Sequence, residues 1–170
     1  MAENIAEKAY ELGKQYERDF RGCGQCVIAA LQDAMGIRND DIFKAATGLA
    51  GGGGSATDGS CGAYSGAILM LSWLWGRDRE HFDDTQGVRV RTQELVRKFH
   101  DHFIQEYGSV VCRDIQTKLM GRFYYLADPA EAEKFHQAGA HTVHCPEVVG
   151  KAARWMAEMI QAEDLLPRPE

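Results

Sequence analysis

Cys23, Cys61, Cys112 and Cys145 lie far apart in the chain, yet each falls where the surrounding pattern starts a helix. The unpaired N–H groups and aligned peptide dipoles of a helix start carry partial positive charge, which favours a thiolate over a thiol. Thiolates attack disulfides and ligate soft metals. Four such starts converging in a helical bundle would make one site for a metal or an iron–sulfur cluster, with N–H donors available to the sulfurs. The competing reading is that the cysteines fill gaps as small buried hydrophobes.

The fifth thiol, Cys26, forms C-G-Q-C with Cys23, the spacing of a catalytic thiol–disulfide pair at a helix start. Metal ligands use the same spacing, and no βαβ pattern surrounds it to suggest a thioredoxin-like frame. Val27 follows Cys26 where covalent haem attachment needs histidine, so no haem is expected. His141, His144 and Cys145 make an H-x-x-H-C cluster, from which one histidine could complete a zinc site. His141 reads as part of a solvated loop, whereas His144 stays open as a ligand. His100 and His102 read as surface residues, and the acidic residues as solvent-facing.

The glycine run at Gly51–Gly54 lacks the G-K-[ST] and the preceding strand of a phosphate loop. Close approach of backbone to a cluster or a neighbouring helix explains it with fewer assumptions. Gly62 and Gly66 are four apart, on one helix face and without side chains, and would leave room for a cofactor or a close neighbour.

The elements that must carry these residues are helices throughout, since no segment alternates apolar and polar residues at period two. The expected fold is all-α: a single-domain bundle of about six to eight helices over residues 1–165, with a short flexible tail at 166–170. Ile5, Ala9, Leu12 and Tyr16 make the apolar stripe of the first helix. The second runs from Cys23 to a glycine stop at Gly36, and Asn39 or Asp40 caps a short third. The uncharged run from Cys61 to Trp75 is shorter than the roughly 20 residues a bilayer requires, so it reads as a core helix. A long helix is expected over 85–107, with Val88, Leu95, Val96, Phe99 and Phe103 inward. Asp128-Pro129 and Cys145-Pro146 read as cap and first-turn pairs.

The chain has 170 residues, 45% of them hydrophobic, enough for one core, and a formal net charge of -6 without a basic run. Nucleic acid and anionic membrane are therefore not expected partners. The N-terminal residues lack the apolar stretch of an export signal, so a cytoplasmic location is expected, where clustered thiols serve catalysis or metals more than disulfides. Trp73, Trp75, Phe123, Tyr124 and Tyr125 either complete the core or leave an aromatic surface for a homodimer.

Taken in order, G-C-G-Q-C-V-I-A-A-L at Gly22–Leu31, the glycines at 51–54, C-G-A-Y-S-G at Cys61–Gly66, C-R-D-I at Cys112–Ile115 and H-C-P at His144–Pro146 resemble the C_GCAxxG_C_C family of redox-active proteins. The resemblance covers roughly residues 22–160. It implies a small helical protein with Cys23, Cys61, Cys112 and Cys145 as its redox positions. It also implies similarity to the cysteine-bearing helical part of split-Soret cytochromes, for which an iron–sulfur site has been suggested. The chain departs from the family in two places. Cys26 stands where a small apolar residue is common, and Cys61 precedes Gly62, giving C-G-A for G-C-A.

The leading expectation is an electron-transfer protein whose four spaced cysteines bind an iron–sulfur cluster and which serves a redox partner protein. The rivals are a thiol–disulfide oxidoreductase using Cys23 and Cys26, and a helical interaction module that is zinc-bound or metal-free.

Overall fold

The computed structural model describes residues 4–166. Among them the chain forms eight α-helices and no strand: α1 (Ile5–Asp19), α2 (Cys23–Met35), α3 (Asp40–Ala45), α4 (Gly62–Trp75), α5 (Val88–Tyr107), α6 (Cys112–Met120), α7 (Pro129–Gln137) and α8 (Cys145–Ala162). The all-α, single-domain architecture expected from the sequence is present. No described helix is long and apolar enough to cross a membrane.

Local chemistry sets most helix ends. The side chains of Asn4, Asn39 and Asp128 accept backbone N–H bonds at the starts of α1, α3 and α7, satisfying donors that the first turn leaves free. Gly36, Gly108 and Gly121 adopt the left-handed conformation that ends α2, α5 and α6. Helix α5 begins three residues later than the pattern suggested, because Gly87 turns left-handed at φ 70 and the chain enters the helix only after it.

The centre is built by α1, α2, α4 and α8, with α1 lying along α8 and α2 between α1 and α4. Small residues let these helices approach closely. A Cβ on Gly66 would stand 2.4 Å from the Gly24 carbonyl oxygen, and one on Gly150 would stand 2.6 Å from Lys14 Cγ. Fully buried alanines at 9, 63, 67, 152, 153 and 157 continue both seams. Helix α5 closes one side, with Phe99 and Phe103 packed against Tyr64 at ring-centroid separations of 5.6 and 5.1 Å.

A second, smaller apolar cluster of Tyr124, Phe135 and Ala140, backed by Met120 and Leu126, joins α6, α7 and the turn before α8. It stands apart from the main core. Tyr124 thus completes a core, while Trp73, Trp75, Phe123 and Tyr125 remain exposed. Of the expected tail, residues 167–170 lie outside the described part. Leu166, the one described residue of that tail, packs against the main core, and Leu165 before it is 6% exposed, its carbonyl accepting the Trp75 indole N–H at 2.8 Å.

Candidate functional site

The four cysteines that open helices in the sequence pattern line one cavity of about 670 Å³. Cys23 and Cys112 are the first residues of α2 and α6, and Cys61 immediately precedes α4. Cys145 opens α8 but not its helical backbone. Gly139 turns left-handed at φ 82, and residues 140–144 then form one π-helical turn, in which the Cys145 N–H bonds back to the Ala140 carbonyl. Cys145 therefore sits one wide turn inside a continuous helical path, not at a free start.

Two backbone devices place the other sulfurs. Ser60 and Val111 form an isolated antiparallel bridge. Cys61 N–H donates to the Val110 carbonyl at 2.7 Å, and Cys112 N–H to the Gly59 carbonyl at 2.9 Å. This bridge ties the entries of α4 and α6 together, so Cys61 and Cys112 are positioned as a pair. The glycine run is the second device. Gly51–Gly54 all have positive φ, between 55 and 86, which makes a left-handed turn that side-chain-bearing residues resist. A Cβ on Gly52 would meet Cys112 Cβ at 3.0 Å. The turn also brings the Gly51 N–H to the Cys23 sulfur.

Gly62 and Gly66 act by the same logic. A Cβ on Gly62 would lie 2.4 Å from Cys23 Sγ. The room these two glycines leave is filled by α2 and by the Cys23 thiol, and neither glycine lines the cavity itself.

The electrostatics differ sulfur by sulfur. Cys61 donates its S–H to Cys23, and the N–H groups of Gly51 and Gly24 add to it, so the Cys23 thiol is held below its ordinary range despite burial and the nearby charge of Glu17. Cys61 is correspondingly held well above that range, first by its bond to Cys23 and then by burial. Burial lifts Cys112 to about 11, partly offset by the bond it accepts from Gln116, and holds Cys145 well above its ordinary range with help from the charge of Glu17. At Cys112 the positive field expected at a helix start is outweighed, because removal from water costs a thiolate more than one helix end returns.

Cys26 does not join the group. It is buried, its thiol donates to the Arg21 carbonyl at 3.1 Å, and burial and Glu17 both push its pKa up. It is also absent from the cavity lining. The sulfur that Cys23 meets is that of Cys61, not of its near neighbour in sequence.

Glu17 was not legible as a site residue and corrects the reading of the acidic side chains as solvent-facing. The buried face of α1 is Ala6, Ala9, Gly13 and Glu17, one helical stripe, and its last member puts a carboxylate into the cavity wall. His141 likewise corrects its reading as a solvated loop residue. It lines the cavity, packs edge-on against Phe135 at 5.3 Å, and holds Nδ1 3.9 Å from Glu17 Oε1. His144 lines the cavity as well. His100 is half-buried and meets Tyr64 OH at 3.1 Å, while His102 is exposed and stacks on Trp155. Among the described residues no three His, Cys, Asp or Glu side chains are grouped tightly enough to hold a single metal ion.

The fold and site together define a class of all-helical proteins that gather thiols from distant helix entries into one chamber. The model of the family described as "Putative redox-active protein (C_GCAxxG_C_C)" matches residues 22–159. The chain belongs to that family, as the order of its cysteine motifs implied. No curated protein and no solved structure matches it.

Proposed function

We propose that the protein transfers electrons by means of an iron–sulfur cluster held by Cys23, Cys61, Cys112 and Cys145. The observation that carries this reading is the convergence of these four sulfurs, from four different elements, on one cavity. The donor set fits the group. Clusters are held by cysteine thiolates, and four thiols lining one cavity supply that donor set.

A bound cluster would supply one-electron chemistry. The chain's own part is to hold the sulfurs and shape their surroundings. The Gly51 and Gly24 N–H groups at Cys23 and the Gln116 amide at Cys112 donate to sulfur, and such bonds raise the potential of a cluster by stabilising its more negative state. Anaerobically purified protein is expected to contain iron and acid-labile sulfide with a visible absorption band, both lost in Cys61→Ser. Protein that holds no iron and takes up none on reconstitution with iron and sulfide overturns the proposal.

A second reading is favoured by one contact. The Cys61 S–H donates to Cys23, which makes Cys23 and Cys61 the thiol–disulfide pair of the metal-free protein in place of Cys23 and Cys26. In this reading the Cys23 thiolate attacks a substrate disulfide and expels one thiolate. Cys61 then displaces the second thiol, leaving a Cys23–Cys61 disulfide and two reduced substrate thiols. Metal-free protein that reduces a small disulfide, and loses that capacity in Cys61→Ala but not in Cys26→Ala, selects this reading.

A further inference from the structure

We infer that the part of the chamber bounded by Glu17 and His141 binds a small organic cation, an ammonium or amidinium head on an apolar body. The inference goes beyond the electron-transfer reading and stands whether or not the thiols carry a cluster.

Glu17 is 2% exposed, and its Oε2 is buried without a hydrogen-bond partner among the described residues. His141 Nδ1 is buried and unpartnered too, 3.9 Å from the other carboxylate oxygen. A buried polar atom left unpaired costs roughly 1–3 kcal/mol, and more when charged, so a native site that keeps two of them side by side is built for something that pairs with both. The carboxylate accepts only, and Nδ1 accepts in one neutral tautomer. Their common complement is a group with several N–H donors, which ammonium and amidinium supply.

Charge points the same way. Glu133 lines the chamber with Glu17, and Arg21 lines it without pairing to Glu17 among the described residues. Leu119, Met120, Leu126 and Val148 add apolar lining to the same chamber. The volume of about 670 Å³ falls within the usual range of roughly 300–1,000 Å³ for small-molecule sites. The head would lie where the charge of Glu17 is felt by Cys23 and Cys145, beside the redox thiols.

The test is isothermal titration calorimetry on the full chain purified without oxygen, with n-hexylammonium chloride as probe and 1-hexanol as its neutral counterpart. Hexylammonium is expected to bind at least tenfold more tightly than hexanol. Glu17→Gln is expected to weaken hexylammonium at least tenfold while leaving hexanol within twofold, and His141→Phe to weaken hexylammonium alone. A preference for the ammonium below tenfold overturns the inference, as does a Glu17→Gln variant that binds it normally. A variant that loses both probes together also overturns it, because the carboxylate then builds the chamber and does not read the head. Iron and sulfide assayed on the same samples report separately on the cluster.

Discussion

Cys23 and Cys26 are three positions apart and chemically opposite. One accepts hydrogen bonds from Cys61, Gly51 and Gly24, and the other donates its S–H to the Arg21 carbonyl and keeps its proton. In reduced, metal-free protein Cys23 is therefore expected to alkylate fastest of the five thiols and Cys26 slowest, read by mass spectrometry after timed iodoacetamide exposure. Cys61→Ala removes the principal donor to Cys23 and is expected to move the midpoint of its pH–rate curve upward. The same sulfurs set a pH dependence of stability. Cys112, lifted from 9.0 to about 11, keeps its proton in the fold when the unfolded chain has lost its own. Its contribution, roughly 2 to 3 kcal/mol at one pKa unit per 1.4 kcal/mol, is intact below pH 9 and lost as pH rises towards 11. Cys145 adds in the same sense, while the contribution of the depressed Cys23 is already in place at pH 9. Chemical denaturation of reduced protein at pH 8 and pH 11 measures the loss. Most of these differences between sulfurs are invisible in the sequence, because they are set by the fold: the bond from Cys61 to Cys23, and the burial of Cys26 and Cys112.

Helix crossings at glycine decide where the sulfurs can stand. Gly66→Ala puts a methyl group 2.4 Å from the Gly24 carbonyl oxygen and 2.7 Å from Val27 Cγ1, and backbone cannot yield as a side-chain tip does. It is expected to cost about 3 kcal/mol in thermal or denaturant unfolding and to reduce iron uptake, since α2 carries Cys23. Gly36→Ala, at φ 70 with open space around it, is expected to cost only about 1 kcal/mol and to leave the site alone. The comparison separates crowding from backbone strain. At this scale much was legible: the caps at Asn39 and Asp128, the stop at Gly36 and the shared face of Gly62 and Gly66 all follow from local rules. The beginning of α5 and the π turn were not, because each depends on a left-handed glycine, Gly87 or Gly139, whose conformation only the surrounding packing fixes.

The family match begins at residue 22, yet α1 precedes it, runs along α8 and contributes Glu17 to the chamber. A chain shortened to begin at Arg21 is expected to lose cooperative thermal unfolding, because it exposes the α8 face that Gly150 and Ala153 bury. The whole-molecule outline of one helical domain with four thiols was readable from periodicity and motif order. The chamber was not, since part of its lining, Met120, Leu126 and Phe135, comes from the separate small cluster, assembled from residues that individually look like ordinary surface turns and short helices.

The π turn at 140–144 also has an evolutionary meaning. It holds one residue more than the α-helical turn it replaces, and deleting a residue there would swing everything after it by about 100° around the helix axis. Cys145 would leave the chamber wall while the rest of α8 tried to keep its seam with α1. The distance from Gly139 to Cys145, counted in residues, is thus a spacing rule that any descendant keeping the chamber must inherit, whereas length can drift freely in the exposed stretch between α4 and α5.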